Sequence, residues 1–146
     1  MSGPAFWGIA GSPISHSLTP RLFSIVGAYL GMEPSKQVFL EATNISEFQS
    51  QVSSLEGDLW LSCTAPLKYS PQERLGVKGP EGVNAINQLR RSEGKWSGTS
   101  TDGLGFVSAC RHIGIDPNGS VLRMRGGGSA ARSIAAAWSS HGGSII

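Results

Sequence analysis

Cysteine is nearly absent. Cys63 and Cys110 are the two among 146 residues, far apart and outside any C-x-x-C spacing. That argues against a disulfide framework and a zinc site, and two buried free thiols in a reducing compartment are the plain reading, with no metal expected. Long apolar runs are missing too: no window approaches the ~20 apolar residues that cross a bilayer. The N-terminal MSGPAFWGIAG has no basic stretch and no long apolar one. The chain therefore reads as cytoplasmic, with no membrane partner. Charge is scarce as well. Lys and Arg number 12 against 10 Asp and Glu, and a formal charge of +2 is too small to argue for a nucleic-acid partner.

What is present is a core and an ordered alternation of elements. Hydrophobic residues make up 39% of a chain long enough for one ordinary domain, or one domain and a fragment of another. Phe6 to Ala10 is an apolar run closed by Gly11, a buried strand leading into a loop. Thr19-Pro20 then reads as an N-cap followed by proline at the first helical position, with Leu22, Phe23, Val26, Tyr29 and Leu30 at helical spacing up to Gly31. Gln37 to Leu40 is a second strand. Asn44 caps a helix carrying Ile45, Phe48, Val52 and Leu55, and Leu59 to Cys63 is a third strand. Pro71, Gly76, Gly79 and Pro80 leave room for at most one helical turn, starting at Ser70. Ala85 to Arg91 and Lys95 to Ser100 read as a hairpin around Ser92-Glu93-Gly94. Asp102 can cap a helix through Phe106, Val107, Cys110 and Ile113. The pattern restarts with Val121 to Met124, a glycine turn, the helix SAARSIAAAW and GGSII. The fold class this predicts is α/β: a mostly parallel sheet flanked by helices, followed by an incomplete Rossmann-like βαβ segment.

Four stretches carry chemistry-bearing residues. GSPISHSLTP places Ser15, Ser17 and Thr19 around His16 at the carboxyl end of the first strand, where α/β sheets bind ligands. Their hydroxyls can donate to a carboxylate, although serine and threonine in a proline-bounded loop more often form turns and caps. Lys68 follows the third strand in TAPLK. A lone lysine is usually solvated surface, but at the end of a buried strand its ammonium can give a proton to an oxygen gaining negative charge. Asp102 in STDGLG is, taken alone, a helix cap; facing Lys68, it would orient the ammonium and accept a substrate hydroxyl. Gly126 to Ala131 satisfies G-x-G-x-x-A between strand and helix, where backbone N–H groups can meet a pyrophosphate. Arg123 and Arg125 in the preceding strand are unusual for a central buried strand.

In this order, GSPISHSLTP, SCTAPLK, GVNAINQL, STDGLGF and GGGSAAR resemble the shikimate dehydrogenase family over the whole chain. The resemblance implies a shikimate-binding catalytic domain over residues 1–115. Residues 116–146 would be the truncated start of an NADP-binding Rossmann domain. It places the family's carboxylate-binding S-x-S hydroxyls on Ser17 and Thr19, with threonine in the second place. Its N-V-T-x-P-x-K motif falls on Ser62 to Lys68, keeping Thr64 and Lys68. Its A-V-N-T asparagine becomes Asn87, and its N-T-D-G-x-G aspartate becomes Asp102. The implied cofactor-binding residues are Gly126, Gly128, Ser129, Ala130 and Arg132, with Ser129 where the family has glycine.

The implied activity is NADP-dependent interconversion of 3-dehydroshikimate and shikimate in aromatic amino-acid biosynthesis. Lys68 and Asp102 would be catalytic, and Ser17, Thr19, Thr64 and Asn87 would hold the substrate. Two other readings fit the same motifs: a non-catalytic module that holds a hydroxylated carboxylate, and a quinate-preferring dehydrogenase. A chain lacking the family's further NADP-reading segment is expected to turn over little shikimate by itself.

Overall fold

The computed structural model describes residues 3–32, 35–69 and 74–146. Its main sheet has the order β2-β1-β3-β4-β5, built from β1 (Phe6–Gly11), β2 (Lys36–Glu41), β3 (Leu59–Cys63), β4 (Gln88–Ser92) and β5 (Lys95–Thr99). β1 pairs parallel with β2 and β3, while β4 runs antiparallel to both β3 and β5. Four of the five strands thus share one direction. The expected hairpin is present but shorter. Glu93 (φ 50) and Gly94 (φ 74) form its two-residue turn, the left-handed pair that matches strand twist.

Ala85 to Asn87 leave the ladder rather than extending β4. The Ile86 amide bonds the Lys68 carbonyl at 2.8 Å, and the Asn87 carbonyl accepts from Cys63 at 2.7 Å. The helical turn expected from Ser70 begins outside the described residues.

One sheet face is closed by α2 (Ile45–Ser53), whose Phe48 and Val52 pack against Leu40, Leu59, Leu61 and Cys63. Asn44 caps this helix as expected, accepting from the Ser46 and Glu47 amides at 3.0 Å each. Glu47 accepts from the Thr43 amide at 2.8 Å, so three backbone donors are satisfied at this helix start. The other face carries α1 (Thr19–Tyr29), and here two expectations are corrected. The N-cap position is Leu18, with no side-chain cap, and Thr19 is already helical; it is the Ser17 hydroxyl that accepts the Thr19 amide, at 3.2 Å. The predicted apolar stripe is mostly solvent-facing: Leu22, Val26, Tyr29 and Leu30 are all more than half exposed. The helix docks instead through Gly27, whose missing side chain leaves room for the Trp7 ring, and through Phe23, 6.0 Å from Trp7 between ring centroids.

A second, smaller core forms where α3 (Asp102–His112) meets α4 (Ser129–Ser140). Val107, Ala137 and Trp138 are buried there, flanked by Phe106, Cys110 and Leu122. β6 (Val121–Leu122) and β7 (Ser144–Ile145) pair parallel around α4, giving a short βαβ segment. Its first strand stops before Arg123, and both Arg123 and Arg125 are exposed. The arginines that looked wrong for a buried strand are outside it.

The two helices cross at Gly103, where an added Cβ would lie 2.0 Å from the Ser133 carbonyl oxygen. Gly103→Ala is therefore expected to force α3 and α4 apart and destabilise the chain by about 1–3 kcal/mol, read as a lower urea midpoint. An unchanged midpoint would show that this contact is not tight.

Candidate active site

The loops after β1 and β3 meet at one end of the sheet. The Thr64 amide bonds the Ala10 carbonyl at 2.9 Å, and the Ser12 amide bonds the Ala65 carbonyl at 2.9 Å. A Cβ on Gly11 would lie 2.5 Å from the Thr64 methyl and 2.7 Å from the Ala65 carbonyl oxygen, so glycine lets the two loops touch. This stitching brings the hydroxyl loop and the lysine loop to the same edge. Ser17 and Thr19 are half-buried on it. Among the described residues, no hydrogen bond joins either hydroxyl to Lys68 or Asp102.

Lys68, Asn87 and Asp102 do come together. The Lys68 ammonium donates to Asp102 Oδ2 at 2.6 Å, and the Asn87 amide donates to Asp102 Oδ1 at 2.6 Å. Each carboxylate oxygen thus has its own donor. Asn87 is fixed from the other side, since its Oδ1 accepts from the Thr101 amide at 2.8 Å. Asp102 is consequently not the cap expected of it in isolation: Thr101 occupies the N-cap position, no side chain caps the helix, and the Asp102 carboxylate is committed to Lys68 and Asn87. The ammonium and carboxylate side chains keep 19% and 24% of their surface exposed, enough for a ligand or water to reach them.

Beside this cluster lies a cleft of about 380 Å³ lined by Thr64, Pro66, Lys68, Tyr69, Gly128 and Ser129. One wall is the lysine loop and the other is the glycine turn. Gly126 has φ +99, which favours glycine, and Cβ atoms on Gly126, Gly127 and Gly128 would meet nothing within 4 Å. The N-cap Gly128 offers no side chain to the α4 amides, and no acidic residue lies in the first helical turn. Open space in front of uncapped helix amides fits a dinucleotide pyrophosphate. Ser129 and Ala130 line this wall, whereas Arg132 sends its guanidinium to the Val83, Asn84 and Gly127 carbonyls.

No protein-family model matches the chain. A shikimate dehydrogenase (NADP(+)) of Xylella fastidiosa is 32% identical over 135 residues, covering 90% of this chain and 48% of its own length. That of Syntrophomonas wolfei is 33% identical over 131 residues, covering 88% of the chain and 44% of the relative. A Thermus thermophilus shikimate 5-dehydrogenase solved with NADP(H) and shikimate superposes with a TM-score of 0.79 at 25% identity, over 96% of this chain and 54% of that one. Both of these curated relatives carry the name shikimate dehydrogenase (NADP(+)). The chain spans about half the length of the curated relatives it matches.

Three partners in this cluster escaped the sequence reading. Thr101 holds Asn87, but its position beside Asp102 masked it. Ser133, buried inside α4, accepts from Gly103 N at 3.0 Å and lies 2.9 Å from the Ser100 hydroxyl, tying α4 to the start of α3. A serine in the middle of an alanine-rich helix was the available signal. Tyr69 directly follows Lys68; hydrogen bonding from Ser129, then Arg132, holds its phenol below the usual range.

Cys63, five residues before Lys68, is buried in the core. Burial pushes its thiol from 9.0 up to about 12, against the pull of the Lys68 ammonium. Because the folded value is raised, the thiol's contribution to stability is intact below pH 9 and is lost as pH rises toward 12. Urea midpoints measured across that window should fall less for Cys63→Ala than for the unsubstituted chain. Equal slopes would contradict the assignment.

Proposed function

We propose that this chain is the substrate-holding part of an NADP-dependent shikimate dehydrogenase acting in the cytoplasm, with residues 1–115 binding shikimate and 116–146 opening the nucleotide-binding domain. The observation that carries this reading is the Asp102 carboxylate held between Lys68 and Asn87 at the rim of a cleft whose other wall is the glycine turn. Gly126, Gly128, Ser129 and Ala130 would hold the pyrophosphate of NADP. When bound, that cofactor supplies or accepts the hydride at the C3 carbon.

The chain's own residues manage the oxygen and the proton. Ser17, from the loop after β1, and Thr19, from the first turn of α1, donate hydroxyl hydrogen bonds to the ring carboxylate. Thr64 and Asn87 orient the ring hydroxyls. In the reducing direction the C3 carbonyl oxygen gains negative charge, and Lys68 Nζ gives it a proton, leaving a neutral amine that recovers its proton from water through the exposed side of the pair. Asp102 aims the ammonium through the ion pair at 2.6 Å. In the oxidising direction the same amine removes the hydroxyl proton.

Calorimetric titration of the chain with shikimate, quinate and NADP+ separately tests the reading. Saturable shikimate binding, weakened about tenfold by Ser17→Ala through loss of one hydrogen bond to a charged group, is the expected result. No shikimate binding contradicts the proposal, and tighter binding of quinate would reassign the substrate within the same site. In a protein that carries this chain and turns over shikimate, Lys68→Ala should lower kcat by on the order of 10²–10⁴-fold with a much smaller change in affinity. A change confined to KM would remove Lys68 from the proton step.

A further inference from the structure

We infer that Arg132 is a positioning residue for Lys68 rather than a ligand of the cofactor. Its Nε donates to the Val83 carbonyl at 2.8 Å and its Nη2 to the Asn84 carbonyl at 3.0 Å, two consecutive carbonyls met by the planar fork. Nη1 donates to the Gly127 carbonyl at 3.3 Å, and the guanidinium lies 4.7 Å from the Tyr69 ring centroid. Arginine has donors alone, and three of its nitrogens are taken by backbone oxygens. The fork has five N–H donors, so one remains on each of Nη1 and Nη2 beside these three contacts.

The groups Arg132 grips bracket Lys68. Tyr69 is the next residue in the chain, and the 83–87 loop meets Lys68 directly, where the Ile86 amide donates to the Lys68 carbonyl at 2.8 Å. Within that loop Asn84 has φ +50, a left-handed conformation uncommon for a residue with a side chain. Its carbonyl is one of the two the fork holds. Arg132 thus clamps this loop and the residue after the lysine against each other, leaving the Lys68 backbone little freedom to carry its ammonium off Asp102. Because Arg132 starts on α4, the clamp also joins the glycine-turn segment to the substrate-holding residues.

Charge and fork geometry make opposite predictions for lysine. If Arg132 met a phosphate as a positive charge, Arg132→Lys would largely retain it; if it bridges two carbonyls and stacks on Tyr69, lysine cannot replace it. The test uses the 146-residue chain and the variants R132K and R132M, with thermal unfolding confirming that each is folded. Two readouts decide: amide hydrogen exchange at Asn84 to Asn87 relative to β1 and β3, and the pH titration of the Lys68 signal in chain whose lysines are ¹³C-dimethylated, assigned with K68R.

Both variants should exchange about tenfold or more faster in the loop alone, and shift the Lys68 midpoint in the same direction as D102N does. Unchanged loop exchange or an unchanged Lys68 titration in either variant overturns the proposal. A third arm reads affinity for NADP+ and shikimate. The inference rests on the dehydrogenase reading only here: shikimate affinity should fall and NADP+ affinity stay within about twofold. NADP+ affinity lost in R132M and restored in R132K would make Arg132 a cofactor ligand. Failure of the unsubstituted chain to bind shikimate would contradict the function proposed above while leaving the exchange and titration results to judge Arg132.

Discussion

The site depends on how a single carboxylate is shared. Asp102 receives the Lys68 ammonium on one oxygen and the Asn87 amide on the other, each at 2.6 Å, and these three residues come from three different connections at one end of the molecule. Lys68 leaves β3, Asn87 precedes β4 and Asp102 opens α3. A partly buried ammonium without a partner is costly, and a carboxylate without donors equally so. The triad satisfies both while leaving an exposed side on each charge.

The surrounding structure keeps those three connections in register. Parallel pairing of β1 with β3 puts the hydroxyl loop beside the lysine loop, and the absence of a side chain at Gly11 lets their backbones meet. The Asn87 backbone bridges Cys63 and Thr99, so it cannot drift from either neighbouring strand. On the other side, Gly103 and Ser133 bring α4 against α3, which fixes the direction from which Asp102 enters. The glycine turn that opens α4 therefore faces Lys68 because of helix packing, with no strand of the main sheet reaching across.

Much of this was legible in the sequence because each element announces itself locally. The Asn44 cap, the apolar positions of α2 and the β3 run all follow from spacing, and ordered motifs located Lys68, Asn87 and Asp102. What was not legible depends on competition between partners. The Asn87 amide takes the second Asp102 oxygen and is itself held by the Thr101 amide, links that no spacing relates. The Thr19 hydroxyl looks like a cap, yet Ser17 takes the amide. The apolar residues of α1 looked like a core stripe, but the helix docks by its glycine, leaving Leu22, Val26 and Leu30 at the surface. The bonds from Arg132 to the carbonyls of Val83 and Asn84, 49 and 48 residues away in sequence, are ones that no local pattern reveals.

The central claim is that the hydroxyl loop, Lys68, Asn87 and Asp102 form one pocket for a hydroxylated ring carboxylate. Amide-resolved ¹H–¹⁵N spectra of the chain titrated with shikimate test it most directly. The account predicts saturable shifts concentrated at Ser17, Thr19, Thr64, Asn87 and Asp102, with the far ends of the strands undisturbed. Shifts centred instead on the separate cleft lined by Phe23, Trp60, Arg90 and Ser97, or no saturable change at all, would contradict it.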